Sequence, residues 1–382
     1  MNNQEIIEFI RKTFKQKEGF IPLHAPVFGG NEKKYVMETI ESTFVSSVGA
    51  YVTQFEEMMK GITGAKYAIA TVNGTTALHL ALLMAGVQRD ELVITQALTF
   101  VATANAIKHV GAEPVFVDVD NDTMGLSPDA VEDFLKNNTI EKNGQIYSRL
   151  SNKRIAAILP MHTFGHPVRI EKIIEIAQKY NIPIVEDAAE SLGSYVGSQH
   201  TGTFGQIGIF SFNGNKTVTC GGGGVLITHD EKIGLRAKHV STTAKKAHPY
   251  LFFHDEVGYN YRMPNLNAAL ACAQLEQLDN FLISKRKLAN SYKDFFSQSN
   301  IIFKEEPKGT KSNYWLNAIQ LNDIQSREQF LKETNNHGVM TRPIWTLMSK
   351  LPMYQECEHG ELTQSLWLEE RIVNLPSSVI NH

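Results

Sequence analysis

The segment IPIVEDAAES, residues 182–191, is followed along the chain by FSFNGNKTVTCGGGG, residues 210–224. The first segment predicts a buried strand that ends in an acidic pair. The second predicts a strand that ends at Ser211, with Lys216 in the turn beyond it. Asp187, at the end of a buried strand, needs a cationic partner or a metal. The four glycines let the backbone approach the lysine closely, and they fit neither a GxGxxG nor a Walker pattern.

Similar strand patterns alternate with helical periodicity over the first two thirds of the chain, which indicates a wound α/β domain with a mixed, mostly parallel sheet. The strand candidates are KYAIAT (66–71), ELVITQ (91–96), EPVFVDV (113–119), RIAAILPMH (154–162), IPIVED (182–187), IGIFSF (207–212) and GVLITHD (224–230). We predict a large domain over residues 1–245, with a helical extension over 1–20. A small α+β domain follows over residues 246–382 and includes one long bridging helix over 265–296.

Composition excludes several classes of function. The chain has 382 residues, 42% of them hydrophobic, and a net charge of -3, so nucleic acid is not an expected partner. The first twenty residues lack the apolar core of a signal peptide, and no long apolar stretch follows, which predicts a cytoplasmic protein that does not enter a membrane. His162 and His166 have HxxxH spacing, but Gly165 and Pro167 break the helix that a zinc site would need, so we predict no metal.

Asp187 and Lys216 together match the needs of pyridoxal phosphate (PLP). A PLP enzyme requires a lysine that joins the cofactor aldehyde and an acid that keeps the pyridine nitrogen protonated. Taken alone, Asp187 fits a helix-capping role as well, and a lysine beside glycines is usually solvated. Glu190 either faces the same ring edge or is solvated. The combination predicts PLP as the cofactor, with Lys216 and Asp187 as the catalytic residues.

Two further segments offer contacts for such a cofactor. In VNGTTALHLAL, residues 72–82, Thr75 or Thr76 is placed to cap a helix whose free N–H groups, beginning near Gly74, would bind a phosphate; capping alone explains the same pattern. In TQALTFVATANAI, residues 95–107, an aromatic ring lies at a strand-to-helix turn. That ring, Phe100, either stacks on a flat cofactor or belongs to the core.

These residues resemble the DegT/DnrJ/EryC1/StrS nucleotide-sugar aminotransferases, which have PLP fold type I. The resemblance covers nearly the whole chain and rests on the motifs NGTTAL, TFVATANA, EDAAES, FSFNGNKTVTCGGGG and GYNYRMPNLNAAL. It implies that Lys216 forms the Schiff base, Asp187 holds the pyridine nitrogen and Phe100 stacks on the cofactor. The positions that it implies for the phosphate are Thr75, Thr76 and Ser211, with Asn260 reaching the phosphate in the neighbouring subunit of a homodimer with shared sites.

The resemblance also implies the reaction. An amino group would pass from glutamate to the C4 ketone of a UDP-linked 4-keto-6-deoxy N-acetylhexosamine, since the opening residues look most like the LegC-type enzymes of legionaminic acid and O-antigen biosynthesis. The alternatives are a PLP-dependent sugar dehydratase of the same fold, which Lys216 disfavours, and a sugar-binding regulatory protein without turnover. The sequence departs from the family at LPSS, residues 375–378, where family members continue into a terminal helix.

Substrate contacts are the finest of these expectations. An arginine and an indole in MTRPIWTLM suit a nucleotide sugar, and core packing explains the indole as well. A histidine in the loop PMHTFGHPV and a tyrosine in a polar-aromatic loop before GYNYR are further candidates. The predicted substrate-binding residues are Arg262, His162, Arg342, Trp345 and Tyr250.

Overall fold

A computed structural model describes residues 1–380 of the chain. Its helices are α1 (Asn3–Thr13), α2 (Glu32–Glu41), α3 (Ala50–Thr63), α4 (Gly74–Met84), α5 (Val101–His109), α6 (Pro128–Asn138), α7 (Ile170–Lys179), α8 (Glu231–Ser241), α9 (Asn265–Leu275), α10 (Leu278–Phe296), α11 (Ile324–Asn336) and α12 (Thr363–Glu369). Its strands are β1 (Tyr67–Thr71), β2 (Leu92–Gln96), β3 (Glu113–Val117), β4 (Thr139–Lys142), β5 (Gln145–Ser148), β6 (Ile155–Leu159), β7 (Val185–Asp187), β8 (Tyr195–Val196), β9 (Gln199–His200), β10 (Ile207–Ser211), β11 (Gly224–Thr228), β12 (Ile302–Phe303), β13 (Thr310–Lys311), β14 (Asn317–Gln320), β15 (Arg342–Pro343) and β16 (Ile372–Leu375).

The predicted mixed sheet is present, in the order β1, β11, β10, β7, β6, β2, β3. Isolated parallel bridges from Ile158 to Ile184 and from Met161 to Asp187 join β6 to β7. Only β11 runs against its neighbours in this sheet, because it pairs antiparallel with both β1 and β10. Each sequence-predicted strand corresponds to one of these strands, so the α/β fold class is confirmed. The strands are buried almost throughout, which explains their continuous apolar runs.

The loops that leave the carboxyl ends of β1, β2, β6, β7 and β10 carry the motifs singled out in the sequence. Gly74 begins α4 directly after β1, Phe100 precedes α5 after β2, and Asp187 is the last residue of β7. Open α/β sheets bind ligands at this edge, because helix starts and loop backbone meet there.

The prediction of one long helix over residues 265–296 is wrong. Helix α9 ends at Leu275 and α10 begins at Leu278. At the break, the Gln277 side chain donates to Glu32, at 2.7 Å, and Glu276 accepts hydrogen bonds from Asn31 and Tyr35. These contacts with the start of α2 override the continuous helical periodicity of the sequence.

The C-terminal part forms a second, antiparallel sheet in the order β12, β14, β16, β15. Strand β14, helix α11 and strand β15 follow one another along the chain. Helix α1, capped by Asn2, buries Ile6, Ile7 and Ile10 in the same apolar cluster as residues of α10, α11 and β16. The N-terminal helix therefore packs with the C-terminal elements, although the sequence suggested an extension of the large domain.

None of the helices over residues 1–380 is both long enough and apolar enough to cross a bilayer.

Candidate active site

A cavity of about 600 Å³ opens where the parallel strands end. Part of its lining follows the strand ends, and we call this part the strand-end wall: Gly74, Thr75, Phe100, Asp187, Glu190, Ser211 and Lys216. Another part comes from the C-terminal region, and we call it the C-terminal wall: Trp315, Leu316, Arg342, Ile344, Trp345 and Asn374. A pocket of this size with few convergent charges is typical of a small-molecule site.

Asp187 is an oriented, buried carboxylate. Only 2% of the residue is exposed. The Thr103 hydroxyl donates to Oδ2 at 2.8 Å, and the backbone N–H of Ala189 donates to Oδ1 at 3.1 Å. Burial raises the pKa of the Asp187 carboxyl, and these hydrogen bonds together with Lys216 act in the opposite direction. A cation placed beside this carboxyl favours its ionised form, so the site suits a protonated ring nitrogen.

Lys216 lies in the loop between β10 and β11 and reaches Glu190. The Nζ atom is 3.2 Å from Glu190 Oε1, and only 1% of the Glu190 side chain is exposed. The other oxygen, Oε2, accepts the backbone N–H of Phe164 at 2.9 Å. Burial raises the pKa of the Glu190 carboxyl to about 7, against the opposing effect of Lys216. The solvated alternative for Glu190 is therefore wrong, and the residue is a buried partner of the lysine.

The start of α4 lies at one end of the cavity. Asn73 caps this helix, because its Oδ1 accepts the Thr76 N–H at 2.8 Å; the prediction of a threonine cap is wrong, and Thr76 does not line the cavity. The N–H groups of Gly74 and Thr75 have no acceptor inside the helix. A Cβ at Gly74 would lie 2.8 Å from the Ser211 Cβ, so glycine allows the helix start and the Ser211 hydroxyl to converge on one anion.

Aromatic rings line a further part of the cavity. Phe100, at the N-cap of α5, is 47% exposed and lines the cavity rather than the core. Trp345 lies 6.3 Å from Phe100 and 4.9 Å from Phe164, measured between ring centroids. Phe164 has a φ of 56°, in the left-handed region. Such strain costs about 1–3 kcal/mol and tends to occur at functional sites.

The residues present fit PLP. The first turn of α4 and Ser211 would hold its phosphate, Asp187 its ring nitrogen, Phe100 its ring face and Lys216 its aldehyde. The match is chemical as well as spatial, because a helix start suits an anion and a buried carboxylate suits a cation.

His162 lies outside the cavity, so its predicted contact with substrate is wrong. Its side chain is fully buried. Its Nε2 lies 3.0 Å from Glu186, and its Nδ1 accepts the backbone N–H of Val168. Glu186 also accepts three backbone N–H groups, from Gly202, Phe204 and Gly205. The first acid of the pair thus has a structural role.

Three other predicted residues do not line the cavity of their own chain. Asn260 and Tyr250 are exposed, Tyr250 by 79%. Arg262 is half-buried and bridges to Thr71 of β1. They belong to a segment whose tip exposes the apolar side chains of Leu251, Phe252, Phe253 and Val257. Exposed apolar clusters are common at surfaces that contact other molecules.

The sequence analysis missed Trp315, whose ring lies 3.7 Å from Lys216 Nζ, and Thr103, which orients Asp187. Thr103 lies three residues after Phe100, and this helical spacing is a usable signal. Trp315 gave no such signal, because an isolated tryptophan next to a strand most often belongs to the core.

Comparisons with known proteins give one consistent answer. The family model described as the DegT/DnrJ/EryC1/StrS aminotransferase family matches residues 27–380. A GDP-perosamine synthase of Escherichia coli O157:H7 is 38% identical over 360 residues, covering 94% of this chain and 93% of that protein. EpsN of Bacillus subtilis, named as a pyridoxal phosphate-dependent aminotransferase, is 34% identical, covering 94% of this chain and 90% of that protein.

Solved structures agree on the fold. The aminotransferase TlmJ from Streptoalloteichus hindustanus has a TM-score of 0.85 at 24% identity, with 94% of each chain covered. PseC from Helicobacter pylori, an aminotransferase of pseudaminic acid biosynthesis by its description, has a TM-score of 0.84 at 22% identity, covering 94% of this chain and 93% of that one. The chain therefore belongs to the DegT/DnrJ/EryC1/StrS aminotransferase family and is a PLP-dependent aminotransferase.

Proposed function

We propose that the protein transfers an amino group from glutamate to the C4 ketone of a nucleotide-linked 4-keto-6-deoxyhexose. The observation that carries this proposal is the convergence of Lys216, Asp187 and the first turn of α4 on one cavity. Several relatives are named GDP-perosamine synthase, and this supports a nucleotide sugar as the acceptor.

In this proposal Lys216 is the covalent and proton-transferring residue. When bound, PLP supplies an electron-accepting ring and an aldehyde that carries the amino group between the two substrates. In the first half of the reaction Lys216 Nζ, as a free amine, takes the proton from the α-carbon of glutamate. In the second half it delivers a proton to the sugar carbon that receives the amino group. Asp187 holds positive charge at the ring nitrogen, and the Thr103 hydroxyl fixes the orientation of its carboxyl.

Glu190 is the proposed partner of Lys216 in these proton transfers. Its carboxyl is 3.2 Å from Nζ and has a pKa raised to about 7 by burial. A group with such a pKa accepts or donates a proton easily near neutral pH. Phe100 and the backbone N–H groups of Gly74 and Thr75 keep the cofactor in place while Lys216 is free.

Two nucleotides, UDP and GDP, are candidates for the one that carries the sugar. The resemblance to LegC-type enzymes favours UDP and an N-acetylated sugar, whereas the relatives named GDP-perosamine synthase favour GDP. We therefore propose a direct comparison of UDP- and GDP-linked 4-keto-6-deoxy sugars, with ¹⁵N-glutamate as donor and product analysis by mass spectrometry. Incorporation of ¹⁵N into one product identifies the substrate. No incorporation into either, from a protein that binds PLP, would contradict the proposed acceptor and favour elimination or sugar binding without turnover.

We also propose a homodimer in which Asn260, Arg262 and Tyr250 complete the site of the neighbouring subunit. Their position outside their own cavity and the apolar tip of the same segment support this arrangement. A complementation experiment tests it: the Lys216→Ala and Asn260→Ala variants, each inactive alone, should regain activity when unfolded and refolded together. A mixed dimer then has one intact site. Absence of recovery in a mixture that contains mixed dimers would contradict shared sites.

A further inference from the structure

Trp315 makes two contacts with the loop that carries Lys216. Its ring centroid lies 3.7 Å from Lys216 Nζ. Its indole N–H donates to the backbone carbonyl of Asn215, directly before the lysine, at 2.7 Å. The side chain is nearly completely buried, with 4% of the residue exposed, yet it lines the cavity. One side chain therefore contacts both the reactive atom of Lys216 and the backbone that supports it.

Trp315 is itself held from two directions. Its backbone N–H donates to Asn313 Oδ1 at 2.8 Å, and the amide nitrogen of Asn313 donates to the carbonyls of Glu190 and Leu192. Its backbone carbonyl accepts a hydrogen bond from Lys285 Nζ at 3.2 Å, and the Lys285 side chain is fully buried. A side chain on such a fixed backbone has little freedom to move away from the lysine.

The lysine ammonium thus lies against an indole face and a carboxylate. Glu190 Oε1 is 3.2 Å from Nζ, and the indole ring covers the same atom. A cation is attracted to the face of an indole, most strongly where water is excluded. A lysine side chain otherwise samples many rotamers. Both contacts favour the position of Nζ that the structure shows.

We propose that Trp315 is a positioning residue for Lys216. Its ring holds the free Nζ amine in one place between the two halves of the reaction. This inference rests on the proposed role of Lys216. Proton transfer requires Nζ within hydrogen-bond reach of the reacting carbon, and small misplacements of a reacting group reduce rates strongly. The competing explanation is that Trp315 only fills the cavity wall, in which case its removal alters packing or substrate affinity without a specific effect on Lys216.

The test measures Lys216 directly in full-length protein freed of cofactor with hydroxylamine. Trinitrobenzenesulfonate reacts with uncharged, accessible amines, and mass spectrometry reports the labelling rate at each lysine. We expect Trp315→Leu to raise the rate at Lys216 about 3- to 30-fold relative to the exposed Lys308, with Trp315→Phe between Leu and wild type. The matched control is Trp367→Leu, because Trp367 stacks on Arg371 outside the cavity.

The same variants, loaded with PLP, provide a second readout. We expect Trp315→Leu to lower kcat about 10- to 100-fold, with the KM for the nucleotide sugar near that of wild type. An unchanged labelling rate at Lys216 in Trp315→Leu would overturn the proposal. If Trp315→Leu does not fold, Trp315→Phe provides the test. Its labelling rate at Lys216 must exceed that of wild type, and an equal rate would overturn the proposal. Labelling needs neither cofactor nor sugar, so its result is independent of whether the proposed reaction is correct.

Discussion

The strand-end wall and the C-terminal wall of the cavity are built differently. On the strand-end wall, Asp187 and Ser211 are the last residues of strands, and Gly74 is the first residue of a helix. On the C-terminal wall, Trp315 follows a residue with a φ of 47°, Tyr314, and is held by a buried lysine and a buried asparagine. These three residues of the strand-end wall lie at the ends of regular elements, whereas the position of Trp315 depends on tertiary contacts.

This difference suggests that the two walls have different functions. The strand-end wall combines the charges and helix start that suit PLP, which every reaction of the proposed type requires. The C-terminal wall contributes mainly rings, aliphatic side chains and Arg342, which suit recognition of a substrate. Changes on the strand-end wall should therefore alter the cofactor itself. On the C-terminal wall, Trp315 contacts Lys216, whereas a change at Arg342 should alter substrate use and leave the cofactor spectrum intact.

The largest effect is expected for Asp187→Asn. An amide removes one partner of a buried charge pair, and such losses cost about 3–5 kcal/mol, or roughly 10²- to 10⁴-fold in rate. We expect kcat to fall by that factor and the visible spectrum of the bound cofactor to change. The control is Asp323→Asn, at the exposed N-cap of α11. An Asp187→Asn variant with normal kcat and spectrum would remove Asp187 from the proposed site.

The next effect concerns pH and Glu190. The pKa of this carboxyl is raised from 4.5 to about 7, with burial as the largest cause. The folded state therefore binds a proton more tightly than the unfolded state, so the contribution of Glu190 to stability is full below pH 4.5 and is lost as pH rises through 7. Because Glu190→Gln cannot titrate, its stability relative to wild type should rise by up to about 3 kcal/mol between pH 4.5 and pH 8.

Urea unfolding of both cofactor-free proteins at several pH values measures this difference. Lys216 and Asp187 are present in both proteins, so the comparison isolates residue 190. A difference in unfolding free energy that does not vary with pH would show that Glu190 is ionised throughout this range.

On the C-terminal wall we predict a smaller effect for Arg342→Ala. Arg342 is exposed, and its guanidinium makes only long contacts of 3.4 Å, to Asn335 and Thr341, within residues 1–380. It is therefore placed to bind a carboxylate or phosphate of a substrate. We expect KM to rise about tenfold while the cofactor spectrum stays normal. Arg149→Ala, at an exposed position away from the cavity, is the control. A spectral change in Arg342→Ala would contradict the division between the walls.

The smallest effects are expected for alanine substitutions at two glycines, Gly74 and Gly61. A Cβ at Gly74 would meet Ser211 at 2.8 Å, whereas a Cβ at Gly61, inside α3, would meet nothing within 4 Å. Gly74→Ala should weaken PLP binding about tenfold, since it crowds the anion site. Gly61→Ala should leave PLP binding unchanged and stabilise the protein by about 0.5–1 kcal/mol. Cofactor titration and thermal unfolding measure the pair. Equal PLP affinity in both variants would place the phosphate elsewhere.

The same contrast explains what the sequence predicted. The strands, Lys216, Asp187 and Phe100 were predictable because apolar runs, strand ends and turn residues have local signatures. The place of Trp315 beside Lys216, the break between α9 and α10 and the structural role of His162 were not. Each depends on contacts between residues distant in sequence, such as Glu276 with Tyr35 and His162 with Glu186. Periodicity and composition carry no information on those partners.

The most direct test of the account is the visible spectrum of the purified protein during single additions of its substrates. We predict an absorbance band from PLP bound to Lys216, its loss on addition of glutamate, and its return on addition of the correct 4-keto nucleotide sugar. Lys216→Ala should lack both responses, and Lys308→Ala should retain them. A wild-type protein that binds PLP but shows no change with glutamate would contradict amino transfer from glutamate, and an equal response in Lys216→Ala would contradict the assignment of Lys216.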